Sequence, residues 1–414
     1  MFSQFANFLK LTTKTPLKDF KRLKMNFHWE DVTKTTEIHI MTCQGCVART
    51  KIAAFDMDGT LITTKSGRVF PLNPQDWRIL FEPQVKQKLQ TLFHDENYKI
   101  VIITNQAGMG TGKLKEEDFR HKVENVVQAL GVPIQLFAAT AKHCVFRKPR
   151  PGFWEYLERY KNDGIEIDMK NSFYCGDAAG RIRSGTGKKP GKKDFSCSDR
   201  LFAKNVGIKF YVPEEIFLKQ KCTEEIKLPD FDPKTLLKNP PNLLEPKNSS
   251  LTTTQQEIIL MVGVQGSGKS FFAQKYLKKS GYEVISNDIT GSRDKSLNLL
   301  KKVLNSGKSA VIDNTHVNAE AREKFIKMAH NSGVPSRCFV MNTCPAQARH
   351  NITFREIIDK DHAHIGEPII NGYLKNYQKP TLEEGFEEIV QVNVVPDFKY
   401  EQHKSLYFMH LVEK

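Results

Sequence analysis

Asp56 and Asp58 stand two residues apart at the end of an apolar run that begins at Lys51, and Gly59 beside them lets the chain curl. Two carboxylates placed in this way can enter one crevice at the edge of a sheet. One can attack phosphorus and form an aspartyl-phosphate, while the other protonates the leaving oxygen and later activates water. We therefore expect Asp56 to be a nucleophile and Asp58 an acid/base, in preference to a helix-capping aspartate in a turn.

The string Asp56-Met-Asp-Gly-Thr60 resembles motif I of the haloacid-dehalogenase superfamily of phosphatases. That resemblance implies that Thr104 binds a phosphate oxygen and that Lys148 neutralises the nucleophile and the phosphate. It also implies a Mg²⁺ ion that Asp177 holds together with the two aspartates of motif I. The cation is needed because an anionic nucleophile must approach an anionic phosphate.

The chain departs from this superfamily at one point. A second aspartate is usual four or five residues after Gly-Asp, but Arg181 and Ile182 stand there. Residues 198–207 resemble the missing half of the motif, displaced by a basic insertion. We therefore expect Asp199 to be a secondary metal ligand or to support the metal site, with Asp194 as the competing candidate.

The second half of the chain contains a glycine-rich loop. Residues 263–270 match Gly-x-x-x-x-Gly-Lys-Ser in full, between a predicted strand and a predicted helix. The backbone N–H groups of such a loop cradle phosphates, its lysine reaches the β- and γ-phosphates, and its serine hydroxyl binds Mg²⁺. The residues expected to bind ATP are Gly263, Gly266, Ser267, Gly268, Lys269 and Ser270, with Ser270 also a metal ligand.

Acidic and basic residues follow the later strands of this half. Asp288 can take the proton from an acceptor hydroxyl, which favours a kinase over a motor. Asp313 is expected near the metal or the acceptor. In the helix after the fourth strand, Arg355 is our choice, over Arg349, for a lid that closes on the transferring phosphate. His350 is expected to be hydrogen-bonded rather than catalytic.

Short apolar runs alternate with helical stretches in both halves, which predicts α/β domains with parallel sheets wrapped by helices. The runs lie at 51–56, 98–104, 134–138 and 172–176, and then at 257–262, 283–286, 309–313 and 336–341. Prolines at 223–252 break the pattern. We therefore predict a basic tail at 1–40, a capless haloacid-dehalogenase-like Rossmannoid phosphatase at 41–222, a linker at 223–252 and a P-loop kinase at 253–414.

The spacing of the phosphatase residues limits the substrate. Only 45 residues separate Asp58 from Thr104, and 43 separate Thr104 from Lys148. Each gap holds a helix and leaves no room for a sizeable cap domain. An open site of this kind suits a macromolecular end better than a small sugar phosphate.

Composition narrows the possible partners. The 414 residues include 62 Lys and Arg against 47 Asp and Glu, a formal net charge of +15, which favours nucleic acid. No apolar run is long enough to span a bilayer, so no membrane partner is expected. The eight scattered cysteines indicate free thiols in a reducing compartment. The pair Cys43 and Cys46 lacks the second pair that a zinc site needs.

Residues 181–193 form a basic stretch in which six of thirteen residues are Lys or Arg and four are Gly or Pro. Because this stretch interrupts the metal motif, we expect it to project beside the phosphatase site, without helix or strand, and to grip the nucleic-acid backbone. A solvated loop that only adds charge is the alternative. The residues expected to contact phosphates are Arg181, Lys188, Lys189, Lys192 and Lys193.

A haloacid-dehalogenase phosphatase followed by a P-loop kinase resembles the eukaryotic polynucleotide kinase 3'-phosphatases of DNA strand-break repair. The resemblance rests on the strings at 55–64, 76–80, 104–106, 147–149, 176–181, 193–197, 313–315 and 347–356. It implies a nuclear, Mg²⁺-dependent enzyme that removes 3'-phosphates from DNA and phosphorylates 5'-hydroxyls from ATP, so that the ends can be ligated.

We expect a monomer. Recruitment to phosphorylated scaffold proteins through a forkhead-associated domain, as in vertebrate members, is not expected, because only about 40 residues precede the phosphatase. Residues 1–24 hold six Lys or Arg and a single acid, so a mitochondrial location is the alternative to the nucleus.

Two other classes of function are weighed against this one. A small-molecule phosphatase fused to a metabolite kinase is disfavoured by the positive charge and the capless spacing. A catalytically idle nucleic-acid-binding protein is disfavoured because no acidic or P-loop position is lost.

Overall fold

The computed structural model describes residues 25–30, 37–182, 193–359 and 361–413. The chain divides into two compact units, Met1–Lys227 and Leu228–Lys414, and each is built on one large, mostly parallel sheet. The predicted α/β class of both halves is confirmed. Within the described residues, no helix combines the length and the apolar character needed to cross a bilayer.

Among its described residues, the first unit has a seven-stranded main sheet and two small two-stranded sheets. Its strands are β1 (Phe27–Trp29), β2 (Ile38–Cys43), β3 (Lys51–Phe55), β4 (Ile62–Thr63), β5 (Arg78–Ile79), β6 (Tyr98–Asn105), β7 (Ile134–Ala139), β8 (Phe173–Cys175), β9 (Arg181–Ile182), β10 (Lys209–Tyr211) and β11 (Glu225–Ile226). The two small sheets are β4-β5 and β9-β11. The helices of this unit are α1 (Gln84–Gln90, continued by the π-helical Thr91–Asp95), α2 (Ala107–Gly110), α3 (Glu116–Leu130), α4 (Gly152–Tyr160), α5 (Ser198–Val206) and α6 (Pro213–Phe217).

The order of the main sheet is β1-β2-β7-β6-β3-β8-β10, and the strands from β7 to β10 run parallel. The central strand β3 is buried on both faces: Ile52 and Ala54 join one core cluster, whereas Ala53 and Phe55 join the other. This is why its sequence reads as a continuous apolar run. The carboxyl ends of β3, β6 and β8 therefore meet at one edge of the sheet.

The basic tail is shorter than predicted. Strand β1 pairs antiparallel with β2, and β2 pairs antiparallel with β7, so residues 27–29 and 38–43 belong to the main sheet. The indole nitrogen of Trp29 donates to Glu124 on α3 at 2.8 Å. The basic character of the preceding residues hid a short alternating pattern in which Ile38 and Ile40 are buried and His39 is partly exposed.

The second unit has a six-stranded sheet of order β12-β17-β16-β13-β15-β14. Its strands are β12 (Leu244–Glu245), β13 (Ile258–Val262), β14 (Glu283–Ile285), β15 (Ala310–Asp313), β16 (Ser336–Met341) and β17 (Glu388–Val392). Its helices are α7 (Thr235–Lys238), α8 (Lys269–Phe272, continued by Ala273–Leu277 and Lys278–Ser280), α9 (Asn287–Thr290), α10 (Arg293–Asn305), α11 (Ala319–Asn331), α12 (Pro345–Ile358), α13 (Glu367–Asn376) and α14 (Glu401–Tyr407), with a 3-10 turn at Leu382–Glu384.

The predicted linker at 223–252 is ordered and is divided between the units. Strand β11 pairs with β9 in the first unit, and β12 pairs antiparallel with β17 in the second. Prolines excluded a central strand, but β12 lies at the edge of its sheet, where Pro246 directly after it removes no ladder bond. Leu244 is buried there. The boundary between the units falls at Lys227 and Leu228.

Candidate active sites

Motif I leaves the end of β3 in a tight turn. The N–H of Asp56 donates to the carbonyl of Cys175 on β8 at 2.9 Å, which continues the sheet by one residue. Gly59 then adopts a φ of 82°, and a β-carbon on it would lie 2.5 Å from a carboxylate oxygen of Asp177. Glycine is needed at this position both for its conformation and for its size.

Lys148 is the cation at the centre of this site. Its ammonium lies 2.7 Å from Oδ1 of Asp56 and 2.8 Å from Oδ1 of Asp199, and it donates to the hydroxyl of Tyr174 at 2.7 Å. Only 2% of Lys148 is exposed. Burial acts to lower the pKa of Lys148, but Asp199 and Asp56 outweigh it, and the net pKa is raised. The lysine is therefore a fixed positive charge.

Three carboxylates, those of Asp56, Asp177 and Asp199, offer oxygen atoms that all lie within 4.8 Å of one another. Burial raises the pKa of Asp56 to about 7, and the charge of Asp199 adds to that rise. Burial, followed by Asp56 and Asp199, also raises the pKa of Asp177. Carboxylates crowded in this way repel one another, and an oxygen-rich group of this kind is the donor set that Mg²⁺ prefers. The donor set therefore fits the expected cation.

The structure separates the two candidates for the displaced aspartate. Asp199, on α5, joins the carboxylate group and accepts the N–H of Ala178 at 3.0 Å. Asp194 instead accepts the guanidinium Nε–H of Arg181 at 2.8 Å and the N–H of Arg181 at 3.0 Å. Asp199 is therefore the better placed of the two to act as a ligand.

The side chain of Asp58 does not join that carboxylate group, and its role as a metal ligand stays a prediction. Its Oδ1 lies 2.8 Å from the ammonium of Lys122 on α3, and its Oδ2 accepts from Nε2 of Gln106 at 2.8 Å. The same Nε2 donates to the hydroxyl of Thr104 at 2.9 Å, so Thr104 lies at the same edge. Asp58 stands at the exposed entrance, where an acid/base group would meet a leaving oxygen.

The expectation that Arg181 contacts nucleic acid is wrong. This residue is 1% exposed and pairs with Asp194 and with Glu214, at 2.9 Å for the latter. It belongs to β9, and Ile182 forms an antiparallel bridge with Lys193, so the ends of the insertion are also more regular than predicted. Lys193 is exposed. Lys188, Lys189 and Lys192 lie outside the described residues.

The glycine-rich loop joins β13 to α8, as predicted. Lys269 is 8% exposed and donates to the carbonyls of Gly263 at 2.8 Å and Val264 at 2.9 Å. Burial lowers the pKa of Lys269 to about 8, although Asp313 and Asp288 act to raise it. Gly266 has a φ of 76°, and a β-carbon on it would lie 2.5 Å from a backbone oxygen of α12.

Asp313 is the last residue of β15, and Asp288 follows the neighbouring strand β14 at the carboxyl edge of the same sheet. Burial raises the pKa of Asp313, and a hydrogen bond with Ser270 opposes the rise. Asp288 is exposed on α9. The start of that helix is fixed because Asn287 donates its N–H to Oδ1 of Asn314 at 2.9 Å. Both carboxylates thus face the region of Lys269.

The two candidate lid arginines both lie on α12, but their surroundings differ. Arg349 is bound to Glu367 by hydrogen bonds of 2.9 and 3.1 Å. Arg355 is exposed, and it lies one helical turn beyond Asn351, whose side chain donates to the carbonyl of Gly266 at 2.8 Å. The choice of Arg355 as the lid therefore stands as a prediction with a geometric basis.

His350 has the structural role expected of it. It is buried, and its Nε2 lies 2.8 Å from the carbonyl of Tyr407. Burial lowers its pKa to about 4. The ring is therefore neutral near pH 7, and its bond to the carbonyl makes Nε2 the donor.

Several residues of the phosphatase site, among them Lys122, Tyr174 and Asn105, were not predicted from the sequence. Lys122 replaces an apolar side chain on the buried face of α3, between Phe119 and Val126, and that interruption was a usable signal. Tyr174, which donates to the carbonyl of Ile103 at 2.9 Å, reads as an ordinary core residue. Asn105 bonds the main chain of a residue 43 positions away, which no local pattern reveals.

Family models match both units of the chain. A family model described as polynucleotide kinase 3 phosphatase matches residues 51–217, and one described as AAA domain matches residues 258–380. The bifunctional polynucleotide phosphatase/kinase of Schizosaccharomyces pombe is 36% identical over 347 residues, which cover 83% of this chain and 79% of that protein. The putative bifunctional polynucleotide phosphatase/kinase of Acanthamoeba polyphaga mimivirus is 32% identical over 364 residues, 83% of this chain and 84% of that protein.

A third relative matches the first unit. The polynucleotide 3'-phosphatase ZDP of Arabidopsis thaliana is 38% identical over 181 residues, 41% of this chain and 24% of that protein.

Proposed function

The chain belongs to the family of bifunctional polynucleotide phosphatase/kinases, with a phosphatase and a kinase domain, and from this premise we propose how it prepares DNA ends for ligation. The first unit removes a 3'-phosphate through a phosphorylated Asp56. The second unit transfers the γ-phosphate of ATP to a 5'-hydroxyl. The proposal rests on one observation. The ammonium of Lys148 lies 2.7 Å from Oδ1 of Asp56, and the nearby Asp58 side chain is half-exposed.

In the phosphatase unit, an oxygen of Asp56 attacks the phosphorus of the 3'-phosphate and the bond to O3' breaks. Asp58 gives its proton to O3', which leaves as the 3'-hydroxyl, and then takes a proton from the water that cleaves the aspartyl-phosphate. Thr104 binds a phosphate oxygen, and Lys148 offsets the negative charge. The carboxylates grouped around Asp56 would hold Mg²⁺, which would supply the positive charge that lets the two anions approach.

In the kinase unit, Asp288 takes the proton of the 5'-hydroxyl, whose oxygen attacks the γ-phosphorus while ADP leaves. Lys269 and the N–H groups of the loop at 263–270 hold the phosphates. Arg355 closes over the transferring group. Ser270, whose hydroxyl donates to Asp313, would hold Mg²⁺, which would offset charge on the phosphates.

Nucleic acid is the substrate class that the named relatives act on, and the net charge of +15 supports it here. The test is phosphate release from 3'-phosphorylated DNA and RNA oligonucleotides against release from sugar phosphates at equal concentration. We expect kcat/KM for 3'-phosphorylated DNA to exceed that for sugar phosphates by orders of magnitude. Equal or better hydrolysis of sugar phosphates would favour the metabolite enzyme, and release from none of them would favour an idle binding protein.

A further inference from the structure

Asp58, the proposed acid/base residue, forms an ion pair with a buried lysine, Lys122, that has no role in the proposed reaction. Lys122 lies on α3, only 7% of it is exposed, and its ammonium is 2.8 Å from Oδ1 of Asp58. Among the described residues the ammonium has no other hydrogen-bond or ion-pair partner. A lysine on the apolar face of a helix loses much of its hydration, so its ammonium needs an anionic partner.

Asp58 offers two oxygens, and both are engaged. Oδ1 is bound to Lys122 and Oδ2 to Gln106, each at 2.8 Å. Each oxygen has a further lone pair, but the opening of one of these bonds gives the leaving O3', and later a water molecule, room at Asp58. Gln106 is tied down by its second bond, to Thr104 at 2.9 Å, and its neutral amide has little to gain from moving. Lys122 is the donor that a new anion can attract.

The substrate carries such an anion. A polynucleotide that ends in a 3'-phosphate has a backbone phosphodiester one nucleotide away from the bond to be broken, whereas a 3'-mononucleotide has none. A lysine ammonium forms charge-assisted hydrogen bonds with phosphate oxygens. Asp58 is half-exposed and Lys122 bonds it from α3, so an anion that binds beside Asp58 can compete for the ammonium.

We propose that Lys122 is a second phosphate-binding group that recognises this phosphodiester, and that its transfer from Asp58 to the phosphodiester frees the acid/base residue only when a polynucleotide is bound. The inference rests on the proposed function, since it assumes a polynucleotide and Asp58 as the acid. It makes Lys122 a residue that selects chains over mononucleotides. No change of overall fold is required, because a lysine side chain can swing between neighbouring anions.

The decisive measurement is the ratio of kcat/KM for a 3'-phosphorylated oligonucleotide to that for thymidine 3'-phosphate, with Lys122→Met in the full chain. The oligonucleotide should lose about tenfold, the scale of one hydrogen bond between charged groups. Thymidine 3'-phosphate should be hydrolysed faster than by the unmodified enzyme, because Lys122 no longer holds Asp58. An unchanged ratio, whether both substrates lose equally or neither changes, would overturn the proposal and leave Lys122 with a role in positioning Asp58 alone.

A neutral methylphosphonate in place of that phosphodiester gives a second, independent measurement. It should cost the unmodified enzyme more than Lys122→Met does, because Lys122 then has no phosphodiester to move to and stays on Asp58, whereas the variant should lose nothing on it. Additive losses would contradict the proposal. Lys122→Arg keeps the charge and should keep most of the selectivity.

Lys170→Met serves as the matched control, since it removes one positive charge from an exposed position just before the amino end of β8, at the opposite edge of the sheet. Thermal unfolding followed by circular dichroism, measured on the same samples, reports whether the phosphatase unit of each variant is folded. Failure of the unmodified enzyme to hydrolyse any oligonucleotide would instead refute the proposed function, so the two failures are distinguishable.

Discussion

Gly176 and Asp199 are packed so closely that a β-carbon on Gly176 would lie 2.3 Å from Oδ2 of Asp199. Gly176 follows β8 and directly precedes Asp177. The close contact of Gly176 with Asp199 therefore fixes the positions of Asp177 and Asp199, two of the three grouped carboxylates. A site of this kind depends on the absence of a side chain as much as on the presence of acids.

We expect Gly176→Ala to push Asp199 out of the group and to reduce phosphatase activity by about 100-fold or more, since displacements near 1 Å have effects of this size on positioned groups. The Mg²⁺ concentration for half-maximal activity should rise, and kinase activity should stay the same. Gly372→Ala, at a helical position with open space around it, is the control and should change neither activity. A Gly176→Ala enzyme with normal activity and normal Mg²⁺ dependence would contradict this role of Gly176.

Asp56→Asn is expected to abolish the phosphatase, by more than about 1,000-fold, because an amide cannot form the phosphorylated intermediate. Kinase activity should remain nearly intact, since the second unit has its own sheet and core. Acid quenching of the unmodified enzyme with 3'-³²P-labelled oligonucleotide should leave label on the protein. Substantial turnover by Asp56→Ala would refute the assignment of the nucleophile.

Lys269→Ala is expected to give the reverse pattern. The variant lacks the ammonium that reaches the phosphates, so transfer from ATP to a 5'-hydroxyl oligonucleotide should fall by about 100-fold or more. Release of 3'-phosphate should be unaffected. If the variant phosphorylates 5'-ends at nearly the original rate, residues 263–270 are not the ATP site.

The basic insertion carries a prediction about salt. Changing Lys188, Lys189, Lys192 and Lys193 together to Ala should weaken oligonucleotide binding and reduce the slope of log affinity against log salt by about 2–4 units, about one for each phosphate that is no longer neutralised. Hydrolysis of p-nitrophenyl phosphate, which does not involve the nucleic-acid backbone, should barely change. An unchanged slope would show a solvated loop that adds charge only. Equal loss on both substrates would mean that the insertion shapes the metal site.

His350 makes the kinase unit sensitive to acid. Its pKa in the folded chain is about 4, below the ordinary value of 6.5, so the unfolded chain takes up the proton first as pH falls. Its contribution to stability is complete above pH 6.5 and is lost between 6.5 and about 4, at a scale of about 2 kcal/mol between pH 7 and pH 5. Urea unfolding followed by circular dichroism should show a smaller loss of stability over this range for His350→Gln. His316, whose pKa burial also lowers to about 4, stays in the variant and should leave part of the dependence.

The central strands of both sheets were predictable because burial on both faces leaves a continuous apolar run, and β16 was predicted with its observed ends, 336 and 341. The loop at 263–270 and motif I were predictable because their chemistry needs fixed spacing. The antiparallel strands β1 and β2 were not, since three and six residues beside a basic segment carry little pattern.

The surroundings of individual side chains were harder to predict than the strands, for a different reason. Arg181 was expected to be exposed because its neighbours are basic, but its partners Asp194 and Glu214 are 13 and 33 residues away. The choice between Asp199 and Asp194 depended on which carboxylate the turn at Ala178 and Ala179 directs toward Lys148. Long-range ion pairs of this kind are fixed by the folded backbone, and local sequence does not encode them.

The division of the chain at Lys227 and Leu228 has an evolutionary consequence. Each unit has its own sheet, its own two-sided core and its own set of reactive side chains, so a lineage can lose or modify one chemistry without disturbing the other. Selection then acts on two separable traits carried by one gene product. The benefit of keeping them together lies in supply, because a single translation event delivers both activities in equal number.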